Sequence, residues 1–384
     1  MENHVDHSRP LNGKLPAGEA RCPGPSTRDI ILADNDGVPD AIVEESYEFL
    51  GDQDIAFDRY TSKAMFDLEM ERMWPKVWQF ACREEQIPDV GDCITYDVGR
   101  YSTMVVRVAP DEIKAYMNSC PHRGMQLRPS ESFTCLKQIR CPFHGFTWNL
   151  DGSLKEVPCE WDFPHLDQKT HGLDEIRSAR WGGFVFINMD ADAKPLEDYL
   201  EVMPEHFRNW PIEKRFTTLH IEKILPANWK LAQEAFLEAF HVLATHPQGV
   251  PTAGDANAQY DVFGDNVTRF VHTIGFPSPH YQKKMTQQDI LDALGGAEFG
   301  LKIEGNQTAR DVYAQHLRKT LGEAFGVDLS RYSNSEMMDS IEYHCFPNFF
   351  LFPGISLPMV YRFRPNGEDV DSSIFDLIFL QPLK

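Results

Sequence analysis

The chain has 384 residues, 42% of them hydrophobic, enough to bury one large core or two moderate ones. Its 37 Lys+Arg against 58 Asp+Glu leave a net charge of −21, which repels nucleic acid and anionic membranes and offers no basic stripe to hold either. No apolar run reaches the roughly 18 residues of a membrane span, the first residues carry no secretory or transit pattern, and a cytoplasmic protein is expected.

In chain order, residues 1–44 are rich in Pro, Gly, Asp and Asn without apolar periodicity, which predicts a mobile or surface-draped N-terminal arm. Residues 45–76 form a lead-in. There TSKAMFDLEMERMWPKVW repeats Phe66, Met70 and Met73 at helical spacing and stops at Pro75, so a helix is expected, packed on the catalytic domain that follows. From Val77 the signal changes to short β-type runs with a turn pair at Asp151-Gly152, predicting a small antiparallel domain over 77–175.

Residues 176–384 open with the strand GGFVFINM. LHIEKIL, a helix from Asn228 to about Thr245 and helices near 286–294 and 310–325 follow. The strands SIEYHCF, NFFLF, MVYRFRP and SSIFDLIFL come last, the final two turning at Asn366-Gly367. The fold class is α+β: a small all-β domain placed before a larger domain built on an antiparallel sheet with flanking helices.

The chemistry lies in two phrases, SCPHRGMQL from Ser119 and RCPFHGFTW from Arg140. Cys120-x-His122 and Cys141-x2-His144 each supply one thiolate and one imidazole from a turn, which together make four ligands for a compact metal centre. A zinc ribbon usually pairs Cys with Cys, and a zinc finger follows a Cys pair with a His pair. The mixed turns suit a [2Fe–2S] cluster with two Cys on one iron and two His on the other, whose neutral imidazoles raise the potential to roughly −150 to +300 mV. Gly124 and Gly145 let the backbone pass close to the cluster, and Pro121 and Pro142 stiffen the loops. Cys135 reads as a buried small hydrophobe, and the eight cysteines are expected as thiols rather than disulfides.

A second unusual stretch is NWKLAQEAFLEAFHVLATHP. His241 and His246 are five apart, so on a regular helix their side chains diverge by roughly 140° and can share a metal only if the helix distorts. Glu234, Glu238 and His241 follow at spacings of four and three, which stacks them on one face with a carboxylate beside an imidazole. By itself, a His-x4-His pair is the pattern of two ordinary polar residues. Phe236 and Phe240 read as core packing, with the substrate pocket as the other reading, and His272, His316 and His344 as surface or hydrogen-bonded residues.

CPHRG followed by CPFHGFTWNLDGSLKEVP resembles the Rieske domain of the large (α) subunit of Rieske non-haem iron ring-hydroxylating oxygenases. MWPKVWQFACREEQIPDVGD and WGGFVFINMD are similar to the family's lead-in and to its re-entry into the catalytic domain, so the likeness covers about residues 45 to 384. The 18 residues between His122 and Cys141 are at the long end for the motif.

The resemblance implies a terminal oxygenase: Cys120, His122, Cys141 and His144 hold the [2Fe–2S] cluster, and His241 and His246 hold a mononuclear Fe(II) that activates O2. It implies that Glu238, where many members have Asp, links to a cluster-bound His of the neighbouring subunit and carries the electron across. A homotrimer follows, with or without a small β subunit, and so do a ferredoxin or flavin reductase drawing on NAD(P)H and a small aromatic or similarly apolar substrate.

The family's third iron ligand is an Asp or Glu from a C-terminal helix. This sequence ends at FLQPLK in a strand pattern, so that ligand is unassigned and the catalytic domain is expected to lack the helix. Asp376, in a strand whose alternation turns it to solvent, is not given the role. Two other readings stay open: an electron-transfer Rieske protein with a vacant mononuclear site, and a zinc-stabilised binding protein without redox chemistry.

Overall fold

The computed structural model describes residues 24–34, 36–51, 53–129, 132–167 and 169–382. Four strands open the ordered β-structure: β1 (Gln79–Arg83), β2 (Cys93–Val98), β3 (Tyr101–Ala109) and β4 (Glu112–Met117). The short β5 (Ile139–Arg140), β6 (Thr147–Trp148) and β7 (Leu154–Glu156) form a separate three-stranded sheet that frames the second Cys/His loop. Next come β8 (Glu175–Trp181) and β9 (Phe184–Asn188), which return to the first sheet and complete it in the order β1-β9-β8-β4-β3-β2.

The boundary expected at 175/176 therefore needs correcting. Ala115 pairs with Ile176 across β4 and β8, so the strand GGFVFINM belongs to the sheet of the N-terminal domain. Sequence order hid this because β8 pairs with β4 only after the chain has passed through both metal loops.

The second domain is a seven-stranded antiparallel sheet in the order β10-β16-β15-β14-β13-β12-β11. Its strands are β10 (Arg215–Leu225), β11 (Gln259–Val262), β12 (Val267–His272), β13 (Ser340–Cys345), β14 (Phe349–Leu351), β15 (Met359–Pro365) and β16 (Ser373–Pro382). One face packs on the first sheet: Phe80, Phe184 and Phe186 surround Phe349 with ring centroids 5.2, 4.8 and 5.1 Å away. The other face lies beneath the segment that carries His241 and His246, with Phe350, Tyr361 and Phe363 packed against Phe236 and Leu237. The fold is the α+β arrangement expected, and among the described residues no helix is long and apolar enough to cross a membrane.

Where it is described, the arm expected over 1–44 packs on the body of the protein. Thr27–Leu32 is a helix opened by a Ser26/Asp29 capping box, and Asp40–Val43 adds a further turn. Ile31 and Ile42 enter the main core, and Asp34 reaches Arg310 at 2.7 Å. Its polar average concealed a few single anchors whose partners lie far along the chain; residues 1–23 are outside the described residues.

The lead-in helix Lys63–Arg72 buries Phe66 and Met70 and ends before the turn Trp74–Lys76. It does not rest on the catalytic domain alone, as expected, but wedges between the two domains. Its core neighbours are Ala81, Tyr96, Val98 and Val105 of the first sheet and Trp229 of the second domain.

Candidate functional site

The two Cys/His loops close in the same way. The amide of Cys120 donates to Met125 O at 2.8 Å and that of Gly124 to Cys120 O at 2.8 Å. In the second loop Cys141 donates to Phe146 O at 2.8 Å and Gly145 to Cys141 O at 3.1 Å. Each loop thus runs from a Cys to a Gly four residues on, and Gly124 and Gly145 take the left-handed conformation that closes it, with φ of 73° and 78°. Because closure is shared, the unequal Cys-to-His spacing has a simple meaning. His122 and His144 occupy successive positions of equivalent loops.

Both thiols are buried and both imidazoles are exposed. The rings of His122 and His144 lie 4.8 Å apart, and Phe146 stacks beneath His122 at 4.9 Å and 11°. Burial acts first on both thiols. At Cys141 the amides of His144, Phe143 and Gly145 and the Cys120 thiol outweigh it and hold the pKa below its ordinary value. At Cys120 burial and the nearby Cys141 hold it above, against the amides of His122 and Arg123. An N–H-lined, buried thiol pair beside two surface imidazoles fits the donor set of a cluster with two Cys on one iron and two His on the other.

Cys135 departs from expectation: it is exposed, in a loop where it takes φ of 56°. The described cysteines are all unpaired, as expected; Cys22 lies outside the described residues.

The helix expected from Asn228 to Thr245 is broken. Trp229–Glu234 is helical, and the chain regains a single turn at Val242–Thr245, flanked by His241 and His246 as its two caps. The distortion brings the rings of His241 and His246 to 5.2 Å. Of the expected stack, Glu238 stays beside His241 and Glu234 leaves it. Glu234 instead accepts from Tyr60 Oη at 2.8 Å.

Glu238 receives the backbone N–H of His241 at 3.0 Å and lies 2.5 Å from the ring Nδ1. A carboxylate on Nδ1 fixes the tautomer and leaves Nε2 to face a metal. Phe240 is not core packing but 93% exposed. Phe236 packs against Tyr361, Phe363 and Phe375 at 5.1, 5.5 and 5.8 Å, and also lines a cavity of about 550 Å³ with Glu238, His241 and His246.

Several site residues had no signal in the sequence. Glu69 of the lead-in helix accepts from Trp229 Nε1 at 3.0 Å and pairs with Lys230, clamping the start of the histidine segment. His272, expected as a surface or hydrogen-bonded residue, lines the His241/His246 cavity, and its buried Nε2 has no hydrogen-bond partner. Burial lowers its pKa and His241 adds to this, against Asp339 and Asp255. His344 is buried and hydrogen-bonded to the backbone at Pro347, the second of the two expected placements.

Asp376 does not face solvent. It is fully buried, 2.8 Å from both His220 Nε2 and Arg362 Nε, and so committed to a structural network. Strand alternation misled because both faces of this strand are covered, one by the other sheet.

This fold and these loops define an iron–sulfur protein with a second candidate metal site on an antiparallel domain. Residues 77–167 match the family described as Rieske [2Fe-2S] domain, and residues 203–380 that described as ring hydroxylating alpha subunit (catalytic domain). The chain thus carries a Rieske [2Fe-2S] domain followed by a ring-hydroxylating α-subunit catalytic domain.

It is 33% identical over 212 residues to the anthranilate 1,2-dioxygenase large subunit of Acinetobacter baylyi, covering 52% of this chain and 43% of that one. It is 32% identical over 197 residues to the carnitine monooxygenase oxygenase subunit of Escherichia coli, covering 49% and 50%. The chain thus spans about half the length of these curated relatives. Among solved structures, a quaternary ammonium Rieske monooxygenase shares the fold at TM-score 0.61 and 20% identity, over 84% of this chain and 74% of that one. Naphthalene 1,2-dioxygenase does so at 0.57 and 22%, over 84% and 70%.

Proposed function

We propose that this chain is the terminal oxygenase component of a multicomponent system that hydroxylates an aromatic or similarly apolar organic molecule. The observation that carries the reading is the pair of equivalently closed loops with thiols inside and imidazoles outside. In this reading Cys120, His122, Cys141 and His144 hold the cluster, and His241 and His246 hold Fe(II). When bound, the cluster supplies one-electron transfer from a ferredoxin or flavin reductase and ultimately NAD(P)H, and the iron supplies O2 activation.

The chain's own side chains do the positioning. Glu238 holds the Nδ1 proton of His241 and so aims Nε2 toward the cavity. Phe236 and its aromatic neighbours give that cavity an apolar wall, which suits a ring or hydrocarbon and excludes water. The exposed imidazoles, with the exposed Phe143 against His144, and the half-exposed Glu238 both call for a partner surface. A head-to-tail ring of three copies lets one chain's loops meet the next chain's Glu238, with a small β subunit as an optional addition.

Electron transfer alone, with the His241/His246 site vacant, is a second reading. Iron and acid-labile sulfide per chain, measured on anaerobically reconstituted protein, separate the readings. Three irons to two sulfides is the expected result. Two to two leaves electron transfer only, and metal without sulfide returns the zinc-stabilised binding protein.

A further inference from the structure

β12 runs beneath the histidine segment, and its side chains alternate between two faces. Val267 and Val271 enter the core between the sheets. Phe270 faces the other way, where it packs with Ala239 and Val242 of the histidine segment. His272 lies two residues further on and so takes the same face, with its ring 6.1 Å from that of Phe270. This places it in the lining of the cavity of about 550 Å³ that also holds His241 and His246.

The polar groups of that cavity are accounted for, except one. Glu238 is engaged by both the backbone N–H and the ring Nδ1 of His241. His241 and His246 are metal donors in the oxygenase reading, and Thr245 is exposed and has water to pair with. His272 Nε2 is buried and has no hydrogen-bond partner. Phe236, Ala239 and Val242 make the remaining wall apolar. A buried polar atom at the wall of a cavity is destabilising until something in the cavity pairs with it.

We propose that His272 is the polar anchor of the substrate: the molecule bound beside the histidine pair presents one hydrogen-bonding substituent to Nε2 and an apolar body to the rest of the wall. The proposal rests on the oxygenase reading above and narrows its substrate to apolar molecules that carry such a group. An imidazole nitrogen accepts from a hydroxyl or amine in one tautomer and donates to an oxygen in the other, so a hydroxyl is held by either. A plain hydrocarbon of the same size leaves Nε2 unpaired. Because the anchor stands at a fixed place on a strand, it also sets which carbon of the body is turned toward His241 and His246.

The test is anaerobic equilibrium dialysis of the reconstituted full chain against 2-naphthol and against 2-methylnaphthalene, its isostere without the hydroxyl. The readout is the ratio of the two affinities, which cancels effects common to both ligands. His272→Leu is expected to lower the naphthol-to-methylnaphthalene ratio about tenfold, the effect of one buried hydrogen bond, without weakening 2-methylnaphthalene. His272→Gln, whose amide still donates and accepts, keeps the wild-type ratio. His272→Met replaces the Leu variant if that variant does not unfold cooperatively.

A ratio unmoved by His272→Leu, a ratio lost equally in His272→Gln, or a wild type that binds neither ligand overturns the proposal. So does loss of the mononuclear iron from His272→Leu, which makes the residue a metal ligand instead. Iron and sulfide are counted on each sample. Two irons to two sulfides in wild type fails the oxygenase reading, whereas three to two with an unmoved ratio fails this proposal alone.

Discussion

At the scale of single residues, Asp376 joins two guanidinium groups and an imidazole. Burial pushes its carboxyl upward, but Arg362, His220 and Arg364 outweigh that and hold it well below the usual carboxylate range. Asp376→Asn leaves Arg362 buried against a neutral amide, and a loss of about 3 kcal/mol is expected in urea unfolding at neutral pH. The sign of the pH dependence follows from the depressed value. The contribution is present above the unfolded value of about 3.9 and is lost as pH falls below it, so wild-type stability drops in acid more steeply than that of the Asn variant. Unfolding midpoints at a series of acid pH values check this. The residue's role was illegible in sequence because alternation reports that a strand has two faces and not what covers each. By contrast, Cys120, His122, Cys141 and His144 were legible because each loop closes within its own few residues.

At the scale of elements, the histidine segment is held from outside itself. Glu69 on the lead-in helix binds Trp229 and Lys230, and Trp74 packs edge-on to Trp229 at 5.0 Å. Glu69→Ala strands Lys230 and the indole N–H, so a stability loss of about 3 kcal/mol is expected. The same variant is expected to retain its cluster while losing mononuclear iron more readily to a chelator, since the segment that aims His241 loses its anchor. Iron-to-sulfide ratios before and after chelation measure this. Periodicity found both helices but not the break after Glu234, because the break is set by tertiary contacts such as Tyr60 on Glu234 and the packing of Phe236 into the sheet aromatics.

At the scale of the whole molecule, the cluster loops and the His241/His246 site belong to separate domains and separate ligand sets. His241→Ala is expected to lower iron from three to two per chain with both sulfides kept, whereas Cys141→Ser removes the sulfide. If electrons cross between chains through Glu238, neither variant alone consumes oxygen with reductase and substrate. A co-assembled mixture of the two recovers a measurable part of wild-type uptake, because some interfaces join an intact cluster to an intact histidine pair. No recovery would place both centres' traffic within one chain.

The sequence by itself determined the two Cys/His phrases as candidate donors, the α+β class and the strand-rich order of the second domain, since all of these are written in local spacing and short-range turns. Only the tertiary structure decided that β8 and β9 return to the first sheet, that Ile31, Ile42 and Asp34 anchor the N-terminal segment, and that Asp376 is buried against Arg362 and His220. The reason is physical. Burial and charge pairing depend on which distant segment covers a face, and no window along the chain contains both partners.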